Sequence, residues 1–205
     1  MENVEYKMGH GIDGKRCLSE IEINKLVAKS NKVEFVPDEF SGSDLEPFLN
    51  PLKHFNLDKQ NSKDGYDDYN EYQHAKIGLL ETKFPFLIYY ITNKKEVVAV
   101  AFFTRNLDFP QPSIKLSWFH IMKNFRGLGK RWLNEVILPD LKTSGEKDMF
   151  IISSHPRSWN FYDSMGERIG SYERMSDNSL YKRQGVKWKV DIVKYLDNLK
   201  KITQI

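Results

Sequence analysis

The feature that most constrains this chain is a pair of unbroken apolar runs, Phe86-Leu87-Ile88-Tyr89-Tyr90-Ile91 and Val97 to Phe103, flanking the polar tetrapeptide Asn93-Lys94-Lys95-Glu96. A strand with one wet face alternates apolar and polar residues, whereas a strand apolar at every position is covered on both faces. The two runs are therefore expected as central strands of a sheet, joined by a tight hairpin.

Further elements extend the pattern on either side. Residues 16–30 carry Leu18, Ile21, Leu26 and Val27 at helical intervals, and Val33 to Val36 reads as a short strand. Ser43-Asp44-Leu45-Glu46 has the form of a capping box, predicting a short helix that stops near Pro51. The polar stretch from Asn56 to Tyr72 reads as a loop entering a helix that lasts to about Glu81. Ile114 to Ile121 is expected as a third strand, Trp132 to Leu141 as an amphipathic helix, and Met149 to Ile152 as a fourth strand. Trp159 to Met165 reads as a helix closed by Gly166. Two more strands are expected near 169–174 and 186–193, and an exposed helix at 194–201. Strands and helices in this order make an α/β domain with a mixed sheet.

At 205 residues, 40% of them hydrophobic, the chain can bury one substantial core, and a single domain over 1–205 is expected. The formal charge of +3 comes from 31 basic and 28 acidic residues spread along the chain, which is unlike a dedicated nucleic-acid binder. The single cysteine, Cys17, rules out an intrachain disulfide framework and fits a reducing compartment, so the cytosol is the expected location. The first residues lack a signal-peptide pattern, and no apolar run approaches the roughly 20 residues of a membrane-spanning helix.

Two glycine-rich segments are candidates for binding phosphate. Gly9-His10-Gly11-Ile12-Asp13-Gly14-Lys15 nearly fits a phosphate loop, but Arg16 replaces the magnesium-binding Ser or Thr and no strand precedes it. It reads as a flexible leader. The second, Arg126-Gly127-Leu128-Gly129-Lys130-Arg131, follows a strand and opens a helix. Unpaired amides at a helix N-terminus point at an anion, the helix dipole favours it, and the glycines admit it closely. Arg126, Lys130 and Arg131 add positive charge for a ligand with several phosphates. A tight strand-to-helix turn with solvated cations explains the segment equally well.

The segment "IMKNFRGLGKRWL" resembles the acetyl-CoA-binding motif of the GNAT superfamily of N-acetyltransferases, with Ile121 at the strand end, Arg126 at the Arg/Gln position and Gly129 at the first glycine. Arg131 departs from the family's final Gly or Ala. The segment "SHPRSWNFYDSMGERIG" is similar to a second motif of that family, with Phe161, Tyr162 and Gly166 in place; His155 stands for the usual Asn, Ser158 for Ala and Glu167 for Phe. The likeness covers roughly residues 84–174, while the first eighty match no pattern.

This resemblance implies a mostly antiparallel mixed sheet, flanked by helices and splayed between its fourth and fifth strands. Acetyl-CoA would be the cosubstrate, without a metal. Its pantetheine arm would pair with backbone of Ile121 and Lys123, and its pyrophosphate would sit on amides from Gly127 through Leu128, Gly129 and Lys130 to Arg131. His155 and Ser158 would belong to the same binding surface. The activity implied is acetyl transfer to a primary amine by direct attack in a ternary complex, with Tyr162 as general acid: a phenol of pKa about 10 can protonate a leaving thiolate whose conjugate acid lies near 8.5. An amide on the Ile121 strand is the expected oxyanion donor.

The base is open. Relatives place a carboxylate or histidine where this chain has Ser117; regular strand alternation would put His120 on the opposite face from Ser117, while Glu81, Glu173 and His155 remain candidates through a water. On the acceptor side, Asp64, Asp67, Asp68 and Glu71 with three tyrosines suggest a cationic amine, although acids also suit a solvated loop and a helix N-terminus. The loop Asp108-Phe109-Pro110-Gln111-Pro112 is a second candidate border. Other readings are a CoA-binding module without turnover and an acetyltransferase toxin acting on aminoacyl-tRNA, the latter disfavoured by the modest charge. A monomer or a homodimer is expected.

Overall fold

In the computed structural model the hairpin runs form β2 (Phe86–Asn93) and β3 (Glu96–Thr104). The structure describes residues 18–37, 39–53, 71–105, 112–153, 156–175 and 182–203. Lys94 and Lys95 turn the hairpin with φ of 49° and 70°, the left-handed pair that a two-residue reversal needs to match strand twist. β2 pairs with β1 (Ser30–Phe35) on its other side, and β3 pairs with β4 (Ser113–Ile121), so both apolar runs are interior strands. β1 begins three residues before the apolar pattern does. It is an edge strand, and Asn31, Lys32 and Glu34 are exposed along it.

Beyond β4 lie β5 (Asp148–Ser153), β6 (Glu167–Met175) and β7 (Lys182–Asp191), in the sheet order β1-β2-β3-β4-β5-β7-β6. Every neighbouring pair is antiparallel except β4 with β5. That parallel pairing extends only from Ser113 opposite Asp148 to Leu116 opposite Ile151. Past these residues the two strands part, and the sheet is splayed at this seam.

Alternation along β2 sends its side chains to two separate apolar clusters. Leu87, Tyr89 and Ile91 join a cluster with Leu26, Trp132, Leu138, Tyr162, Trp188 and Leu196, while Phe86 and Ile88 join Leu45, Leu49, Leu79, Val100 and Phe102. The first cluster is covered by α1 (Glu20–Val27), the helical run of α4 (Leu128–Trp132) and α5 (Leu138–Thr143), α6 (Pro156–Asp163) and α7 (Ile192–Thr203). The second is covered by α2 (Gly42–Leu45), the 3₁₀ turn Glu46–Leu49 and α3 (Glu71–Leu80). The architecture is a mixed sheet between two helical layers.

Several element ends differ from the sequence pattern. α1 is shorter than expected, because Ser19 and Glu22 form a reciprocal cap at its start. The second capping box is Ser41 with Asp44, two residues before the expected one, and Glu46 is bound instead by Lys53, Tyr72 and Lys76. Residues 50–53 are helical, so Pro51 does not end the segment. Leu133–Ile137 forms a π-helical segment between α4 and α5. It immediately precedes Leu138 and Pro139, and the wider turn is the expected accommodation of a proline that lacks an N–H and crowds the carbonyl one turn back. β7 ends at Asp191, whose carboxylate accepts from the Lys194 amide and starts α7. That helix is not simply exposed: Ile192 and Leu196 are buried in the first cluster.

Candidate active site

The splayed seam presents a strand edge inside the sheet. Met122 donates its N–H to Val98 O at 2.9 Å, so Ile121 and Ala99 are a non-hydrogen-bonded pair. Alternation then turns the N–H and C=O of Phe119 and Ile121 away from β3, toward the seam, where the β4–β5 register has already ended. These are backbone groups arranged to receive an extended chain.

At the end of that edge the chain makes a 3₁₀ turn, Lys123–Phe125, and enters α4 through Gly127, which has φ of +98°. A left-handed residue there requires glycine. The second glycine has a different reason. A Cβ at Gly129 would lie 3.0 Å from Ile121 Cδ1 and 3.1 Å from Phe119 Cε1, so its small size lets α4 press onto β4 and does not clear space for a ligand. Leu128 is fully buried, while Arg126 and Lys130 are exposed.

Three other described helix starts carry their own acceptors: Ser19 and Asp191 take first-turn amides on their side chains, Asp44 takes the Ser41 amide, and acids stand in the first turns of α1 and α2. α4 is the reverse: Gly127 offers no side chain, its first turn has no acid, and Lys130 and Arg131 lie close behind. Positive charge at the positive end of a helix dipole is unfavourable unless an anion joins it. Arg131 does not add free charge to this turn, because its guanidinium binds Glu135 at 2.6 Å and Glu20 at 3.3 Å.

α6 bridges the seam. Phe161 stacks on Phe119 of β4 at 6.2 Å, and Phe119 in turn stacks on Trp132 of α4 at 5.9 Å. The next residue, Tyr162, packs 5.3 Å from Trp188 of β7. Tyr162 is 8% exposed, and burial alone pushes its hydroxyl up to about 12. Its helix end is clamped by Asp163, which receives both Nε and an Nη of Arg168 at 2.7 Å and the Trp188 indole N–H at 2.9 Å. Those donors hold the Asp163 carboxyl down to about 2, the Arg168 bonds contributing most. Arg168 also lies over the rings of Trp159 and Trp188. Beneath the turn, Gly166 sits where a Cβ would fall 2.3 Å from Lys189 O, so no larger residue fits. Sequence reading missed this clamp because Trp188 is brought to Arg168 by the β6–β7 register, which no local pattern encodes.

The opposite face of the seam is shaped by a β-bulge in β4. Phe102 faces Trp118 while Phe103 faces Leu116, leaving Ser117 as the extra residue. The bulge corrects the expected alternation. Ser117 bonds the hydroxyl of Thr104 at 2.7 Å, and His120 lies opposite Val100, a residue of the second cluster, so Ser117, Trp118 and His120 share one face. Phe119 and Ile121 face the first cluster.

Of the other candidate residues, Ser158 bonds Ser153 across the start of α6 at 3.0 Å, and Lys123 is half-buried in the 3₁₀ turn. Glu81 is exposed after α3, and Glu173 pairs with Lys182 on the sheet edge at 3.2 Å. His155, the Gly9–Lys15 segment, the acidic residues Asp64, Asp67 and Asp68, and the 108–111 part of the proline loop lie outside the described residues. Beside the clamp a groove of about 530 Å³ is lined by Lys130, Asp163, Gly166, Lys194, Tyr195 and Leu199, among others, joining the α4 start to α7. Among the described residues no cluster of His, Cys, Asp and Glu suits a metal, and no helix is long and apolar enough to cross a membrane.

No family model matches the chain, and no curated protein matches it by sequence. Solved structures do match its fold. A GNAT-family protein from Desulfovibrio desulfuricans superposes with a TM-score of 0.51 at 11% identity, covering 80% of this chain and 99% of that one. An N-acetyltransferase from Staphylococcus aureus gives 0.51 at 17%, covering 79% and 99%. A protein from Salmonella typhimurium solved with its cofactor acetyl-CoA gives 0.50 at 11%, covering 79% and 94%.

Proposed function

We propose that this chain, which carries the fold of the GNAT acetyltransferases, is an acetyl-CoA-dependent N-acetyltransferase acting on a primary amine. The observation that carries the reading is the conjunction of an open β4 edge with an uncapped, cation-bearing helix start at its end. An extended amide-containing arm suits the edge, and a pyrophosphate suits the helix start, one following the other along the chain. The acetyl-CoA found with a fold neighbour supports the same choice of cosubstrate.

In this reading the backbone of Ile121 and Lys123 pairs with the pantetheine arm. Amides from Gly127 to Arg131 hold the pyrophosphate, with Arg126 and Lys130 as its cationic partners; Arg131 contributes its amide only. Ser158 borders the arm at the start of α6, and His155 is assigned to the same binding surface from the sequence. The amine nitrogen attacks the thioester carbonyl, whose developing oxyanion takes a seam-facing N–H of β4. The carbon–sulfur bond breaks, and the departing thiolate takes a proton from Tyr162. A buried phenol raised to about 12 stays protonated throughout the neutral and mildly alkaline range.

Calorimetric titration of acetyl-CoA into the chain tests the reading, beside a paired Arg126→Glu and Lys130→Glu variant. Both residues are exposed, so the variant is expected to fold unchanged. Micromolar binding that falls at least about tenfold in the variant is the expected result. An absence of binding by the unaltered chain overturns the reading. A CoA-binding module without turnover would bind equally well yet release no free thiol with any amine.

A further inference from the structure

We infer that β1 is a pairing edge for a second copy of this chain, the two strands meeting antiparallel about a two-fold axis at Val33. The inference stands apart from the acetyltransferase reading, because it uses the rim of the sheet and leaves the seam untouched. β1 and β6 are the two rims. β6 carries a bulge between Arg168 and Gly170, a common device against unwanted pairing. β1 has no proline, and its register against β2 runs without a shift from Ser30 to Phe35.

The hydrogen-bonding phase of that rim follows from the strands beside it. Ala99 and Ile121 are a non-hydrogen-bonded pair, so Ala99 turns its N–H and C=O toward β2, where it faces Ile91. Tyr90 is then turned toward β1, where it faces Asn31. Asn31, Val33 and Phe35 therefore direct their backbone groups into the sheet, and Ser30, Lys32 and Glu34 direct theirs outward. An antiparallel strand added to this rim must set outward residues opposite outward residues. An axis at Val33 does so: Lys32 meets Glu34 of the second copy, and Glu34 meets its Lys32. Each of these pairs exchanges both N–H···O bonds, with the two valines as the close pair between them. An axis at Lys32 or at Glu34 would keep the phase but set like charges face to face.

The side chains favour the same axis. Lys32 and Glu34 stand opposite Tyr89 and Leu87 of the first cluster, so both charges lie on one face of the strand. A lysine on a rim usually discourages pairing. Here Lys32 is drawn onto Asp140 at 2.7 Å, while Glu34 is exposed and has no ion-pair partner among the described residues. The second copy supplies that partner. Val33 stands opposite Ile88 and packs with Phe35 against the second cluster, so a valine met at the axis carries that cluster from one molecule into the other. β2 and β3 separate this rim from β4, and both seams stay open.

The test is sedimentation equilibrium of the full chain. Six residues a side make a small contact, so a monomer–dimer equilibrium at micromolar concentrations is expected. Glu34→Lys sets lysine against lysine across the axis and Lys32→Glu sets glutamate against glutamate, so each variant alone should associate about tenfold or more weakly. Mixed in equal amounts, the two variants oppose lysine to glutamate at both positions, and the dimer should return. Independently of how Lys32→Glu folds beside Asp140, Val33→Cys in a Cys17→Ser chain should form a disulfide between copies on oxidation, because the axis brings the two residues close. An unaltered chain that stays monomeric at about 100 μM overturns the inference and leaves the rim to another protein's strand or to water. A dimer that both variants retain, folded variants that fail to associate when mixed, a Val33→Cys thiol that resists oxidation, or assembly beyond the dimer, which a closed two-fold contact forbids, overturns it as well.

Discussion

Tyr162 and Glu46 show how the surroundings of a single side chain tie its titration to stability. Burial lifts the Tyr162 hydroxyl from its ordinary value near 10 to about 12. The neutral form is thus favoured in the folded chain. The sign follows: this contribution is complete below about pH 10, falls as the unfolded phenol ionises, and is gone above about 12, removing on the order of 2 kcal/mol. Urea unfolding at pH 8 and pH 11 should show a smaller alkaline loss in Tyr162→Phe than in the unaltered chain. Under the proposed mechanism the same variant keeps its acetyl-CoA affinity and loses kcat about 10²-fold. Glu46 works in the opposite direction, since bonds from Lys76, then Tyr72, then Lys53 hold its carboxyl down to about 2. Its contribution is present above about pH 4.5 and lost as pH falls toward about 2, so Glu46→Gln should flatten the acid side of the stability profile.

At the scale of elements, the start of α4 is built differently from those of α1, α2 and α7. Substituting Gly127 by Ala forces a Cβ into φ of +98° and should cost about 1–2 kcal/mol, read from the urea midpoint at unchanged slope. Gly129→Ala should be costly for another reason, because its new methyl meets Phe119 and Ile121 at about 3 Å. The π-helical segment ahead of Pro139 marks where one amphipathic pattern, apolar at 132, 133, 136, 137 and 141, is carried across a turn of a different width. Periodicity sees the apolar stripe and is blind to that widening. α7 is similar: read as exposed, it anchors through Leu196, and Leu196→Ala should lower stability by about 2–5 kcal/mol in thermal or urea unfolding.

Across the whole molecule, what was legible in the sequence was what adjacent residues decide. The unbroken apolar runs identified interior strands, and the glycine-rich turn with the Phe161-Tyr162 pair identified both sides of the seam. What was hidden depends on pairing at a distance. The bulge at Ser117 arises from the register of β3 against β4, and it reverses the face on which His120 lies. Arg131 meets Glu20, 111 positions away, and Asp163 meets Trp188, 25 away. Strand alternation and capping rules work on one element at a time, so neither reports such partners.

The seam between β4 and β5 also bears on how the molecule avoids its own kind. An unpaired strand edge is ordinarily a template for aggregation. This one lies in the middle of the sheet, wedged where β4 and β5 converge at Leu116 and Ile151, with α6 laid across one face by Phe161 and Tyr162. A neighbouring molecule's sheet would have to bring a strand between two strands that already converge at Leu116 and Ile151, a harder approach than pairing at a rim, so the open backbone of β4 is shielded by the very sheet it belongs to.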